Sequence, residues 1–198
     1  FMREFFYFNR RMNDMVYRMP SFFPKLESEN PLICVTSIGA SVEFGALIVN
    51  GVPNYKFHDT GQCFPLRYYE EPNKAVGEQE DFLRTEGGWR ENISNFTLDA
   101  FRAAYEARIT REDIFYYVYG VLHSPEYRTR FASDLKKMLP RLPFTRETAD
   151  FWRFSQAGRD LAHWHLNYET VEPWPVHEST GELFLDPEKD FLVQQMTF

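Results

Sequence analysis

The chain has 198 residues, of which 43% are hydrophobic and 18% aromatic, enough apolar material for one good core or two small ones. Its formal net charge of −7 argues against a protein that grips nucleic acid by bulk charge and leaves room only for a local basic face. No apolar run approaches the length of a membrane span and no secretory signal pattern occurs; a cytoplasmic protein with Cys34 and Cys63 as buried free thiols is the expectation.

In chain order, Phe1 to Arg18 mixes aromatics with arginines and reads as a strand entering the domain, ended by Pro20-Ser21-Phe22-Phe23-Pro24. Leu32 to Ser37 is a β-branched run and a predicted buried strand. Gly39-Ala40-Ser41 follows as a turn, then Phe44 to Val49 as a second strand. Asn50-Gly51 signals another turn before a strand around Tyr55 to His58. Asp59-Thr60-Gly61 leads into a strand from Cys63 to Tyr69, whose Pro65 suggests an edge position or a strand beginning. The first third is therefore expected to be a small, mainly antiparallel sheet.

Glu70 to Gly88 is acidic and polar, and is expected to be a mobile linker. Thr97 can cap a helix with Phe101 and Tyr105 inward. Thr110 with Asp113 three residues later reads as a capping box. The helix it opens places Ile114, Phe115, Val118, Tyr119 and Leu122 on one apolar face. Ser124 before Pro125 starts a second, antiparallel helix with Tyr127, Phe131, Leu135 and Met138 inward, leaving Arg128, Arg130, Lys136 and Lys137 mostly outward. Pro140 and Pro143 stop it, because proline lacks the donor a continuing helix needs. Thr145 can cap a longer helix that buries Phe151, Phe154, Leu161, Trp164 and His165. After Tyr168 the chain returns to extended, acidic sequence, with Phe191-Leu192-Val193 as a last strand.

The expected class is α+β, a small mainly antiparallel sheet followed by a bundle of about four helices. Residues 1–69 form the β-rich part, 70–94 the acidic linker, 95–168 the bundle and 169–198 an extended acidic tail. Opening on Phe1-Met2 inside apparently continuing structure, the chain reads as a fragment of a larger polypeptide.

Catalytic constellations are hard to assemble by spacing. The sequence contains no phosphate-binding G-x-x-x-x-G-K-[ST] loop, no dinucleotide fingerprint and no H-E-x-x-H pair. His163 and His165 form an H-x-H pair, but on a helix positions two apart face different ways, so surface histidines outweigh a zinc-dependent hydrolase. His58 with Cys63 is as weak, and Glu70-Glu71 is most simply solvating. The expectation is no catalytic residue and no metal or cofactor for this chain. Ser37 and Ser41, at a strand end, offer hydroxyls and amides to a phosphate, although an ordinary turn is the blander reading. Arg128, Arg130, Lys136 and Lys137 read as a solvated face or as phosphate contacts, and Arg10 and Arg11 as phosphate contacts beside Tyr7 and Phe8 or as packing against an upstream domain.

Several phrases in one order carry a family resemblance: RMNDMVYRMPSFFP from Arg11 to Pro24, ICVTSIGASVEFGAL from Ile33 to Leu47, QCFPLRYY from Gln62 to Tyr69, DIFYYVYGVLHSPEYRTR from Asp113 to Arg130, LPRLPF from Leu139 to Phe144 and GRDLAHWHLNYE from Gly158 to Glu169. Over residues 11–168 the chain resembles the C-terminal target recognition (specificity) domain of Type ISP restriction-modification enzymes, single polypeptides that join a nuclease, a helicase-like translocase and an N6-adenine methyltransferase. The resemblance implies that those activities, with their S-adenosylmethionine, ATP and Mg, belong to a parent polypeptide. It departs after Gly39-Ala40-Ser41, where the family pattern carries a lysine and a serine around Phe44 and this chain has Val42, Glu43 and Gly45. A DNA contact made there must then differ, which suits a domain whose target varies.

Two functions follow as expectations. In the first, sheet loops read base edges of double-stranded DNA while Arg10, Arg11, Ser37, Ser41, Arg128 and Arg130 contribute to the grip, positioning the duplex for adenine methylation, translocation and cleavage by the parent. In the alternative, the domain is a structural module docking against the methyltransferase or helicase domains, with base readout in a further C-terminal segment.

Overall fold

Strand β1, Leu32–Val35, is buried at all four positions, as expected for the central strand of a sheet covered on both faces. The computed structural model describes residues 19–25, 27–53, 61–71 and 87–172. In it β1 pairs antiparallel with β2, Ala46–Val49, on one side and with β3, Gln62–Pro65, on the other. β2 shows the alternating burial of a strand with one face on the core. Cys34 and Cys63 face each other across β1 and β3 as free thiols, with sulfur atoms 3.0 Å apart. The contact with Cys63, together with burial, pushes the Cys34 thiol well above its ordinary range. The expected strands before residue 19, around Tyr55 to His58 and from Phe191 lie outside the described residues.

Three expectations about this half change. Pro20 to Pro24 does not simply end a segment: Met19–Phe22 forms one helical turn, α1. The single strand expected from Cys63 to Tyr69 is two, because the chain turns a corner at Leu66 and enters a second sheet as β4, Arg67–Glu70. The corner is pinned by Asn30, which is 1% exposed. Its Nδ2 donates to the carbonyls of Phe22 (3.1 Å) and Arg67 (2.7 Å), and its Oδ1 accepts from the Arg67 amide (3.2 Å). A buried amide side chain so bonded holds three chain segments in register. The third change concerns the acidic stretch. Both of its ends are ordered, since β5, Gly88–Glu91, pairs antiparallel with β4, and the ion pairs Arg67–Glu91 (3.1 Å) and Arg90–Glu70 (2.9 Å) cross the ladder.

The helices begin where side chains can satisfy free amides. Helix α2, Asn95–Ala104, is capped by Ser94, whose Oγ accepts from Thr97 N at 3.1 Å; Thr97 is inside the helix rather than at its cap. The capping box at Thr110 and Asp113 forms as its spacing predicts and opens α3, Arg111–His123. Burial opposes ionisation of Asp113, but the hydroxyl and amide of Thr110 and the guanidinium of Arg159 together hold its carboxyl below the usual range.

The second helix of the expected pair is broken. α4, Pro125–Arg130, is separated by Phe131 from α5, Ala132–Leu135. At φ −105°, ψ 14° Phe131 leaves the helix, and its ring lies against Tyr127 at a centroid distance of 5.0 Å. Met138 is left 37% exposed. The expected antiparallel pair is replaced by packing of α3 against α6, Thr148–Leu166.

That packing explains a second misreading. The large residues Trp164 and Phe154 do not make the buried stripe of α6; it consists of Phe151, Ser155, Gly158 and Ala162, while Trp164 is 55% exposed. Small residues are buried because the backbones touch: a Cβ on Gly158 would lie 1.9 Å from Tyr116 O, and one on Gly120 would lie 2.2 Å from Phe154 O. α3 is consequently buried nearly all round, including Tyr117 and Val121 beyond the expected face. Thr145 does not cap α6, since its hydroxyl is engaged by Tyr105 OH and Glu147 O.

Pro140 and Pro143 leave residues 139–145 extended and short of donors for a sheet partner. Tyrosine hydroxyls supply the donors instead. Tyr127 OH donates to Arg141 O (3.0 Å), Tyr117 OH to Pro143 O (2.6 Å) and Tyr105 OH to Thr145 O (3.1 Å), every second carbonyl along the segment. Ile33, Val35, Ala46 and Ile48 of the sheet share one core with Ile114, Phe115, Tyr119 and Phe151 of the helices. No helix among the described residues is long and apolar enough to cross a membrane.

Candidate functional site

The loop between β1 and β2, residues 36–45, is held at its base and open at its tip. Thr36, 6% exposed, closes the base: its amide donates to Gly45 O (3.0 Å) and its Oγ1 accepts from Gly45 N (2.8 Å). Gly39 takes φ +76°, a backbone state that side chains disfavour and that lets the tip reverse. The Ala40 amide donates to Ser37 O at 3.4 Å. Two apolar side chains at the tip, Ile38 (51% exposed) and Val42 (52%), face water instead of the core. A clamped loop on a buried strand, with its side chains outward, is the kind of element that carries recognition.

Helix α4 lies against this loop through Arg128. Arg128 Nε donates to Leu122 O at 2.7 Å, satisfying a free carbonyl at the end of α3, and its guanidinium sits 5.9 Å from the centre of the Phe44 ring. The structure thus brings Arg128 to the loop that bears Ser37 and Ser41. It does not bring Arg130 there. Two positions on, Arg130 faces another way, exposed and with its guanidinium 5.7 Å from the Phe131 ring. Ser41 is exposed and Ser37 half-buried. Arg10 and Arg11 lie outside the described residues. Lys136 and Lys137 are exposed, as their outward placement predicts.

Beneath the loop, a buried polar cluster joins α3, α6 and the edge strand β2. Tyr119 OH accepts from Ile48 N (3.0 Å), an outward amide of that strand, and shares a hydrogen bond with His165 Nδ1 (2.5 Å). His165 is half-buried, in keeping with its expected place on the inner side of the helix and not with a surface pair, whereas His163 is exposed and bonded locally to Asn167. His123 stands between them, its ring 4.6 Å from Tyr119 and 5.6 Å from His165, and its Nε2 is buried without a hydrogen-bond partner among the described residues.

Burial, then the charge of Arg128, then His165 depress His123 to about 4, and burial also lowers His165. A histidine whose folded value lies below its unfolded value of about 6.5 favours folding when neutral, so this stability is complete above pH 6.5 and lost as pH falls toward 4. Denaturation midpoints measured between pH 7 and pH 4.5 should fall, by on the order of 2 kcal/mol in total, and His123→Gln should flatten the slope. A flat profile in the parent protein would contradict the assignment.

Among the described residues no His, Cys, Asp and Glu side chains gather as a metal-holding group. The clamp at Thr36, the apolar tip residues and the Tyr119 cluster were not singled out from the sequence. Ile38 and Val42 were legible in principle, as apolar side chains flanking a glycine turn, but nothing in the sequence says that they face solvent.

The description Type ISP C-terminal specificity domain matches residues 1–198. Several solved structures are similar, three of them as follows. One is a cryoEM structure of a DrdV–DNA complex, at 35% identity and TM-score 0.72 over 85% of this chain. Another is a nuclease-deletion mutant of the Type ISP restriction-modification enzyme LlaGI in complex with a DNA substrate mimic, at 31% identity and TM-score 0.63 over 85% of this chain. The third is the ATP-dependent Type ISP restriction-modification enzyme LlaBIII bound to DNA, at 26% identity and TM-score 0.66 over 87% of this chain. The chain covers 15%, 13% and 10% of those proteins respectively. No curated protein matches it.

Proposed function

This chain belongs to the Type ISP C-terminal specificity domain family, and from that premise we propose that it recognises the DNA target of a longer restriction-modification polypeptide. The observation that carries the reading is the β1–β2 loop, clamped by Thr36 and Gly45 with Ile38, Ser41 and Val42 turned outward. Such a loop can enter a groove without large ordering cost. Its hydroxyls suit base edges, and its apolar tip suits thymine methyl groups, the one apolar feature of the major-groove code. Arg128, fixed by Leu122 O and Phe44, is placed to hold a phosphate beside the loop; Arg130 on α4, and Arg10 and Arg11 in the opening segment, are proposed as further phosphate contacts. Phosphate contacts position the duplex and base contacts specify it.

The rest of the polypeptide supplies adenine methylation, translocation and cleavage in this reading, with S-adenosylmethionine, ATP and Mg bound there and not in this chain. It acts in the cytoplasm, where its DNA is. Three-quarters or more of each similar protein lies outside the part matched here, leaving ample chain for those activities.

The test is a graft. Residues 36–45 of this chain, and separately the whole chain, replace their counterparts in a relative of different specificity, and the methylated sequence is mapped. Recognition is expected to move with the whole-chain graft and to change at one or more base pairs with the loop graft. Specificity that stays entirely with the recipient would sink the proposal. It would favour a second reading, docking against another part of the polypeptide, which the exposed Phe96 (83%) and Trp164 (55%) support.

A further inference from the structure

At the other end of β1 from the recognition loop, the β4–β5 ladder, the middle and last turn of α2 and the start of α3 line a cleft of about 290 Å³. Arg67, Arg102 and Arg111 line it together with Glu91, Leu98 and Glu112. Each carboxylate already has an arginine: Glu91 pairs with Arg67 (3.1 Å), and Glu112 pairs with Arg159 of α6 (3.3 Å). Arg102 and Arg111 have only neutral partners among the described residues. Arg102 Nε donates to Ile109 O (2.8 Å), Arg111 Nε to Ile93 O (2.9 Å), and Arg111 Nη2 to Asn95 Oδ1.

These bonds hold the guanidinium planes by their Nε–H groups and leave terminal N–H donors for a ligand. A pre-oriented guanidinium loses little side-chain freedom when it binds, and its fork matches two oxygens of one phosphate. Asn30 fixes the backbone of Arg67, so the third arginine also has a defined position. Leu98, 5% exposed, floors the cleft with apolar surface, which limits the screening of charges above it.

We propose that this cleft binds a backbone phosphate of duplex DNA through Arg102 and Arg111. The inference rests on the DNA-recognition reading above and adds a second anchor, distant from the loop. β1 lies between the two sites, and its four residues span about 13 Å. A duplex held by the β1–β2 loop carries phosphates on the backbones flanking its groove and beyond, and the cleft offers one of them a second point of attachment. None of the three cleft arginines stands out in the sequence, because they come from three separate segments.

The experiment measures binding of the chain to a 20-base-pair duplex by fluorescence anisotropy across a salt series. Arg102→Gln and Arg111→Gln are each expected to weaken binding roughly tenfold at 50 mM salt and to reduce the slope of log K against log salt by about one. Glu91→Gln leaves Arg67 unpaired in the cleft and is expected to tighten binding and steepen the slope. This variant keeps the test decisive should loss of an Arg102 or Arg111 bond unfold the domain, which circular dichroism reports. Folded arginine variants with unchanged affinity and slope, or Glu91→Gln without a gain, overturn the cleft assignment. They leave the recognition reading standing, since that is judged by the graft. Wild-type chain that fails to bind any duplex at low salt also overturns the cleft assignment, whatever the graft returns.

Discussion

Replacing Gly158 by alanine is expected to destabilise the domain by more than about 3 kcal/mol, a large part of the 5–15 kcal/mol that such folds have. Helix propensity alone predicts the opposite sign, because alanine is favoured over glycine in a helix interior by about 1 kcal/mol. Packing decides. The added Cβ would sit 1.9 Å from Tyr116 O, 2.8 Å from Tyr116 C and 2.9 Å from Gly120 N, all backbone atoms of the facing helix that no rotamer change can move away. Relief requires α3 and α6 to separate, and that stretches the bonds that join them. These include Ser155 Oγ to Asp113 O (2.9 Å), Arg159 to Asp113 (2.6 Å) and Tyr119 to His165 (2.5 Å). Gly120→Ala is expected to behave alike, while Gly88→Ala, with nothing within 4 Å of its Cβ, should stay near wild type. Urea denaturation followed by circular dichroism measures all three. An unchanged or raised midpoint for Gly158→Ala would mean that the helices are not in backbone contact.

The second large effect is expected at Tyr119. Tyr119→Phe keeps the buried ring but removes the oxygen that accepts from Ile48 N and is hydrogen-bonded to His165 Nδ1. Each buried polar group left without a partner costs about 1–3 kcal/mol, so the variant should lose about 2–4 kcal/mol. Among the described residues β2 is the edge of its sheet, and exposed edge amides invite unwanted strand pairing. Tyr119 covers one such amide from the helical side. Hydrogen exchange provides a local reading: the Ile48 amide should lose protection more than its neighbours in β1. Equal protection of Ile48 in both proteins would show that the hydroxyl is not its acceptor.

Both effects bear on function through the same scaffold. β1 and β2 carry the loop proposed for recognition, α3 and α6 brace β2 through Tyr119, and Arg128 links the end of α3 to Phe44 in the loop. Loosening the helix contact should therefore disturb recognition without touching a DNA-facing residue.

Much of this architecture follows from local chemistry. The capping box at Thr110 and Asp113, the start at Ser124-Pro125, the strands around Leu32 to Val35 and Ala46 to Val49, and the helix stop before Pro140 and Pro143 each depend on neighbours within a few positions. The phrases that identify the family are likewise linear, and they were sufficient to place the chain among Type ISP specificity domains. Sequence alone thus determined the α+β class, the helix starts at Thr110 and Ser124, and the family.

Tertiary structure decided what depends on approach between distant segments. Gly120 and Gly158 resemble weak points in two helices until the backbones are seen to touch there. Asn30 looks like a loop residue until it bonds Phe22 and Arg67. His165 is legible as an inward residue of its helix, but its partner Tyr119 on α3 is not. Arg128 and Arg130 look equivalent in sequence, yet one is bound into the loop scaffold and the other is turned away. Arg67, Arg102 and Arg111 converge from a strand and two helices. The physical reason is common to all of them: capping and periodicity act over a few residues and are written locally, whereas close backbone contact, buried hydrogen bonding and convergence of charge exist only once the chain has folded.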